Sequence, residues 1–221
     1  MKNYSSYSLL LVLCLLSSSM LQAQKKSGFY VMPGLSILNL ITDANVTVGD
    51  TAFPDADFVV SDATTFSFNV GYFINENYSL DLQLGLPPSS DIFGSGTIEG
   101  FEIGNFTYAP TALTINRHFK VARRLDFFLG AGISYTFIQD VEGVLVDELN
   151  IENFISPVVK AGFNIDLSDR FSLVGNVVGV WGRTTTTGFL NPAIPQIGGA
   201  PFTTEIDLRP IIFQSGLRIK F

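Results

Sequence analysis

The stretch LDFFLGAGISYTF, residues 125–137, alternates with a period of two. Leu125, Phe127, Leu129, Ala131, Ile133, Tyr135 and Phe137 fall on one face of an extended strand, and Asp126, Phe128, Gly130, Gly132, Ser134 and Thr136 fall on the other. A helical period would scatter both sets around the axis, so this segment is a strand with one bulky apolar side and one small or polar side. YSLDLQLGL (78–86) and FSLVGNVVGVW (171–181) repeat the pattern, and in both any polar or charged residue sits on the narrower side. The same reading predicts eight strands, near 28–40, 65–74, 78–86, 105–119, 125–140, 154–167, 171–184 and 203–221.

The connections constrain how eight such strands meet. Short turns are expected at NEN (75–77), KVARR (120–124) and SDR (168–170). Longer loops rich in Gly, Pro and Asp are expected near 41–64, 87–104, 141–153 and 185–202. Short turns on one rim, long loops on the other and no helical crossover predict an all-β, up-and-down antiparallel barrel. Eight strands enclose a lumen just wide enough for side chains. The small and polar faces fit there, and the bulky apolar faces must point outward. In water such an exterior would aggregate, whereas in lipid it is required. A soluble lipocalin-like barrel would invert the pattern.

The N-terminus agrees with export. Lys2 precedes an apolar run from Leu9 to Leu16, and Ala23 offers a small residue for cleavage, so 1–23 reads as a signal peptide and 24–221 as the barrel. Cys14, the only cysteine, lies in that run, so the exported chain has neither a disulfide nor a thiol nucleophile. The chain carries 20 acidic and 13 basic residues, a net charge of -7. Removing Lys2 makes it -8, and with no basic stripe a nucleic-acid partner is excluded.

VGYFINENYSLDLQLGLP, YAPTAL, RLDFFLGAGISYTF and the terminal LRPIIFQSGLRIKF together resemble the OmpW family of small outer-membrane barrels across essentially the whole mature chain. That resemblance implies a monomer in the bacterial outer membrane with a narrow hydrophobic channel that passes small apolar solutes. It is shared in part with OmpA-like and OmpX-like barrels, and the loops depart from the family pattern. The terminal Phe221 resembles the signal by which the outer-membrane assembly machinery recognises its clients. Outer-membrane lipid and lipopolysaccharide are the remaining expected partners, and no cofactor or metal is expected.

Strand parity and orientation give two sets of lumen residues. Toward the external rim lie Phe106, Tyr108, Phe154, Val158, Val178, Val180 and Ile212, all apolar, as an outer funnel. Toward the periplasmic rim lie Asp81, Asn116, His118, Asp126, Lys160, Asp166, Arg218 and Lys220, a polar network in which Arg218 and Lys220 are expected near Asp126 and Asp166. The bland alternative is that both sets only pack the interior, since small barrels are normally filled and buried charges paired. Two further functional readings stay open: a structural or adhesive barrel acting through its loops, and a lipid-modifying barrel enzyme in which His118, the single histidine, would be the base. No catalytic residue is assigned. GSGTIEG (94–100) has no helix after it and reads as a flexible loop rather than a phosphate cradle. The acidic loops show no cation-ligand spacing, and Trp181 reads as an interfacial anchor.

Overall fold

Eight strands of alternating parity close on themselves. In the computed structural model, which describes residues 28–49, 51–52, 55–193 and 198–221, the wall is built from β1 (Phe29–Asn39), β5 (Ala63–Phe73), β6 (Tyr78–Gly85), β8 (Glu102–Ala122), β9 (Leu125–Gly143), β11 (Phe154–Asp166), β12 (Phe171–Val180) and β15 (Ile211–Lys220). Each pairs antiparallel with its neighbours, and β8 pairs with β9 and β1 with β15 to complete the ring. The expected signal peptide and Cys14 lie outside the described residues. Closure removes every edge within the wall, which is what lets strands cross a bilayer with all backbone groups satisfied.

The face assignment follows the alternation. Along β9, Phe127, Leu129, Ile133 and Phe137 point outward, while Phe128, Ser134 and Thr136 are buried inside. On β6, Leu80 and Leu84 are exposed to lipid, and Ser79, Asp81 and Gln83 are buried. A shallow depression of about 450 Å³ runs across the outer wall between Leu35, Phe163, Val177 and Phe213, floored by Ala161, Gly175 and Ser215. Its rim is made by residues of the outward-facing apolar set.

Two expectations about the long connections are corrected. The described residues of segments 41–64, 87–104 and 141–153 are largely strand rather than loop, and strand takes up both ends of 185–202. They hold β2 (Thr42–Val48), β3 (Thr51–Ala52), β4 (Ala56–Val60), β7 (Ser89–Gly96), β10 (Val146–Ile151), β13 (Gly182–Leu190) and β14 (Pro201–Leu208). The strands expected at 171–184 and 203–221 each break in two, at Trp181 and at Arg209–Pro210. These breaks lie level with Leu40–Ile41, between the Leu38↔Ile212 and Thr42↔Leu208 pairs. Pro210 has no N–H to continue a ladder, while its carbonyl accepts the Val180 N–H and the Arg209 N–H donates to Ile41.

Above this shelf β10, β13, β14, β2 and β3 form a separate five-stranded sheet. It faces β4, β7 and the extensions of β8 and β9. The 21 residues of β8 and 19 of β9 are about twice the 9–11 that a tilted transmembrane strand needs, so this hairpin carries the external part. Phe58, Phe202, Val46, Ile206, Val146 and Leu149 are buried between the two layers. The Phe58 and Phe202 rings meet edge to face at 6.2 Å. One seam, between β2 and β4, is closed by side chains: Asp57 Oδ1 accepts the Ala44 N–H at 2.9 Å, and the Thr42 hydroxyl donates to the Phe58 carbonyl.

Candidate functional site

The interior is divided along its axis by parity and register. Near the short-turn rim, the Lys220 ammonium and the Ser172 hydroxyl each donate to Asp166 Oδ1 at 2.6 Å. One layer in, His118 Nδ1 lies 3.1 Å from Asp126 Oδ1 and its Nε2 lies 2.9 Å from Ser79 Oγ, while Asn164 donates to the same Asp126 oxygen. The imidazole is held between the Phe73 and Phe128 rings, with centroids at 5.2 and 5.5 Å. Asn116 Nδ2 donates to Ser79 Oγ at 3.3 Å.

At the centre is a fully enclosed ion pair. Lys160 Nζ donates to Asp81 Oδ1 at 2.9 Å, with the two side chains 2% and 4% exposed. Asn69 Nδ2 donates to the same oxygen at 2.7 Å and the Tyr30 hydroxyl to Asp81 Oδ2 at 2.6 Å. A buried pair survives only when further hydrogen bonds satisfy its remaining lone pairs, and Asp81 has three donors. The Arg218 guanidinium stacks 4.4 Å above the Tyr30 ring and 5.4 Å from Phe73. Above this, Gln214 accepts from Asn176 at 3.0 Å and donates to Ser67 and Asn69 at 2.8 and 2.7 Å, tying three strands, β5, β12 and β15, together.

The structure thus brings Asp81 and Lys160 together, His118 with Asp126, and Lys220 with Asp166. Asn116 joins the His118 layer through Ser79. Arg218 acts electrostatically on Asp166, as expected, but its expected place near Asp126 is corrected: its guanidinium lies on the aromatic faces of Tyr30 and Phe73. On β15 Arg218 points inward between Ser172 and Tyr30, whereas Asp126 lies across the lumen and is occupied by His118 and Asn164. Tyr30, Asn69, Ser79, Asn164 and Gln214 complete the network and were not singled out from sequence. Their inward parity was readable, but which polar residue would find which charge was not.

Room for Tyr30 is made by Gly71, whose missing side chain is the space the ring occupies; a Cβ built there overlaps the phenol. Gly71→Ala should push Tyr30 off Asp81 and lower unfolding stability by about 1–3 kcal/mol, measured by urea titration in detergent micelles.

Beyond the Asn176–Gln214 layer the interior is mainly apolar, with buried hydroxyls such as Ser134, Thr136 and Ser156 among the apolar side chains. Phe106, Tyr108, Val158, Val178, Val180 and Ile212 are buried there and Phe154 is half-buried beside them. Phe106 and Tyr108 stack with centroids 5.0 Å apart, and a register shift between β8 and β9 falls at these two residues. This apolar stretch is continuous with the core between the external sheets. Side chains of this outer funnel close in on one another around a cavity of about 30 Å³ between Leu38, Tyr108, Phe154 and Ile212, room for one or two waters.

Ser79, His118 and Asp126 stand in the order nucleophile, base and carboxylate. Ser79 has no exposed surface and its Oγ already meets His118 and Asn116. A scissile bond therefore has no place against that oxygen in this arrangement. Among the described residues no group of His, Cys, Asp and Glu is arranged to hold a metal.

Comparison with known proteins agrees with this architecture. The family described as outer membrane protein beta-barrel domain matches residues 8–192. The dibenzothiophene metabolism operon protein PahQ of Pseudomonas aeruginosa is 26% identical over 159 residues, 72% of this chain and 75% of that protein. The outer membrane protein AlkL of Ectopseudomonas oleovorans is 25% identical over 178 residues, 80% of this chain and 74% of that one. The crystal structure of the outer membrane protein OprG from Pseudomonas aeruginosa superposes with a TM-score of 0.81 at 14% identity, covering 90% of this chain and 97% of that one. The chain belongs to the outer membrane protein β-barrel domain family and is a protein of the bacterial outer membrane.

Proposed function

We propose that this barrel takes up small apolar molecules at the external face and passes them along its apolar interior toward the membrane. The observation that carries the reading is the continuity of that interior. Apolar side chains run unbroken from Phe58, Val146 and Phe202 in the external layers to Val158, Val178 and Ile212 in the barrel, and stop at the polar layer below. A solute replaces side-chain contacts of the same character as it advances, so it needs no water-filled bore. The charged network then closes the straight path to the periplasm, which directs an apolar solute sideways into lipid. The name of the relative PahQ is consistent with this, since dibenzothiophene is an uncharged, apolar aromatic.

In this reading lipopolysaccharide surrounds the external half, and the assembly machinery recognises the strand ending at Phe221, whose N–H pairs with the Phe29 carbonyl in the last rung of the closing seam. The test is uptake of an apolar fluorescent tracer by vesicles carrying lipopolysaccharide in the outer leaflet. The barrel should accelerate uptake over protein-free vesicles, and equal rates would remove the reading.

A further inference from the structure

The distribution of charge along the barrel axis is one-sided. Segments 40–62, 88–105, 139–153 and 182–209, which build the external part, hold 15 of the chain's 20 acidic residues and two of its 13 basic ones. Those two, Arg183 and Arg209, both lean on Asp207, at 2.7 and 3.8 Å. The hydrogen bond from Arg183 holds the Asp207 carboxyl below the usual carboxylate range. No free base is left on the external face among the described residues to receive an anion.

The interior gives a second, independent observation. Among the described residues no basic side chain faces inward from the external layers down to Lys160, and the bases beyond that point are engaged. Lys160 is bound to Asp81 and Lys220 to Asp166, and Arg218 lies on Tyr30. A carboxylate travelling with an apolar tail would first meet a negative surface and then an apolar passage without a counter-ion. Burying an unpaired charge there is strongly unfavourable, whereas an uncharged solute feels neither barrier.

We infer that the barrel is selective by charge, admitting uncharged apolar molecules and rejecting their anionic counterparts. This rests on the conduit reading and names the solute class it serves. The external field acts over a Debye length, about 30 Å at 0.01 M salt and about 10 Å at 0.1 M, so part of the discrimination depends on ionic strength and the interior part does not.

The experiment compares a medium-chain methyl ester with the matching carboxylate in lipopolysaccharide-bearing vesicles, as the rate above protein-free vesicles. A second protein carries Glu99→Gln, Glu102→Gln, Asp140→Asn, Glu148→Gln and Glu205→Gln, five exposed positions. At low salt the native barrel should transport the ester at least tenfold faster than the carboxylate. The neutralised variant should raise the carboxylate rate by about tenfold, in the range of electrostatic steering, and leave the ester rate within about a factor of two. Equal ester and carboxylate rates in the native barrel, or a carboxylate rate unmoved by neutralisation, would overturn charge selection by this surface while leaving the conduit in place. Failure of the barrel to speed even the ester would overturn the conduit reading and this inference with it.

Discussion

Lys160→Met should destabilise the barrel by about 3–5 kcal/mol, because it leaves the Asp81 carboxylate enclosed with only the Tyr30 and Asn69 donors. The methionine fills most of the lysine stem's volume, so the loss comes from the uncompensated charge rather than from a void. Adding Asp81→Asn should restore most of the lost stability, since the amide carries no charge and still accepts from Tyr30. The single Trp181, half-exposed at the level where the wall strands bend, reports unfolding by fluorescence in urea. The four proteins of the cycle give the coupling energy directly. A coupling near zero would mean that the pair, although formed, contributes nothing net to the barrel.

The second large effect concerns passage rather than stability. Ile212→Asp places a carboxylate where Ile212 now lines the small apolar cavity with Tyr108, Phe154 and Val180. Any solute crossing that point must contact a charged, hydrated group in place of an aliphatic one. Each additional 1.4 kcal/mol of barrier lowers flux about tenfold, and burying an unpaired charge costs more than that, so apolar uptake should fall to the protein-free level. The shift in gel mobility on heating distinguishes folded from unfolded barrel and verifies that the variant still closes. Tyr108→Asp should behave alike, and unchanged flux in both folded variants would remove these residues from the pathway.

The barrel was legible in sequence because its signal is local. In LDFFLGAGISYTF each residue's side is fixed by that of its neighbour, so parity placed Phe128 inside and Phe127 outside without knowledge of any partner strand. The same parity sent Asp81, Lys160 and His118 inward. The external sheets carried alternation too, with Thr184, Thr186 and Leu190 on one side of β13 and Phe202, Thr204 and Ile206 on one side of β14. Thr-rich strands flanked by Gly and Pro resemble loops in composition, which hid them.

What alternation cannot reach is the choice of partner. Asp81 and Lys160 are 79 residues apart, and their meeting depends on the tilt and register of the closed ring. Arg218 turned to Tyr30 rather than to Asp126 because position around the ring, not distance along the chain, decides which inward residues meet. The packing of the external hairpins into two apolar layers, and hence an interior that is filled rather than open, follows from contacts between segments more than 100 residues apart, such as Phe58 with Phe202. Sequence by itself determined the wall strands, their lipid and lumen faces and the acidic charge of the external segments, all properties of nearest neighbours and composition. Tertiary structure alone decided which charges pair, where the wall strands bend into the external sheets and how tightly the apolar passage is closed, because these depend on ring closure bringing remote strands into register.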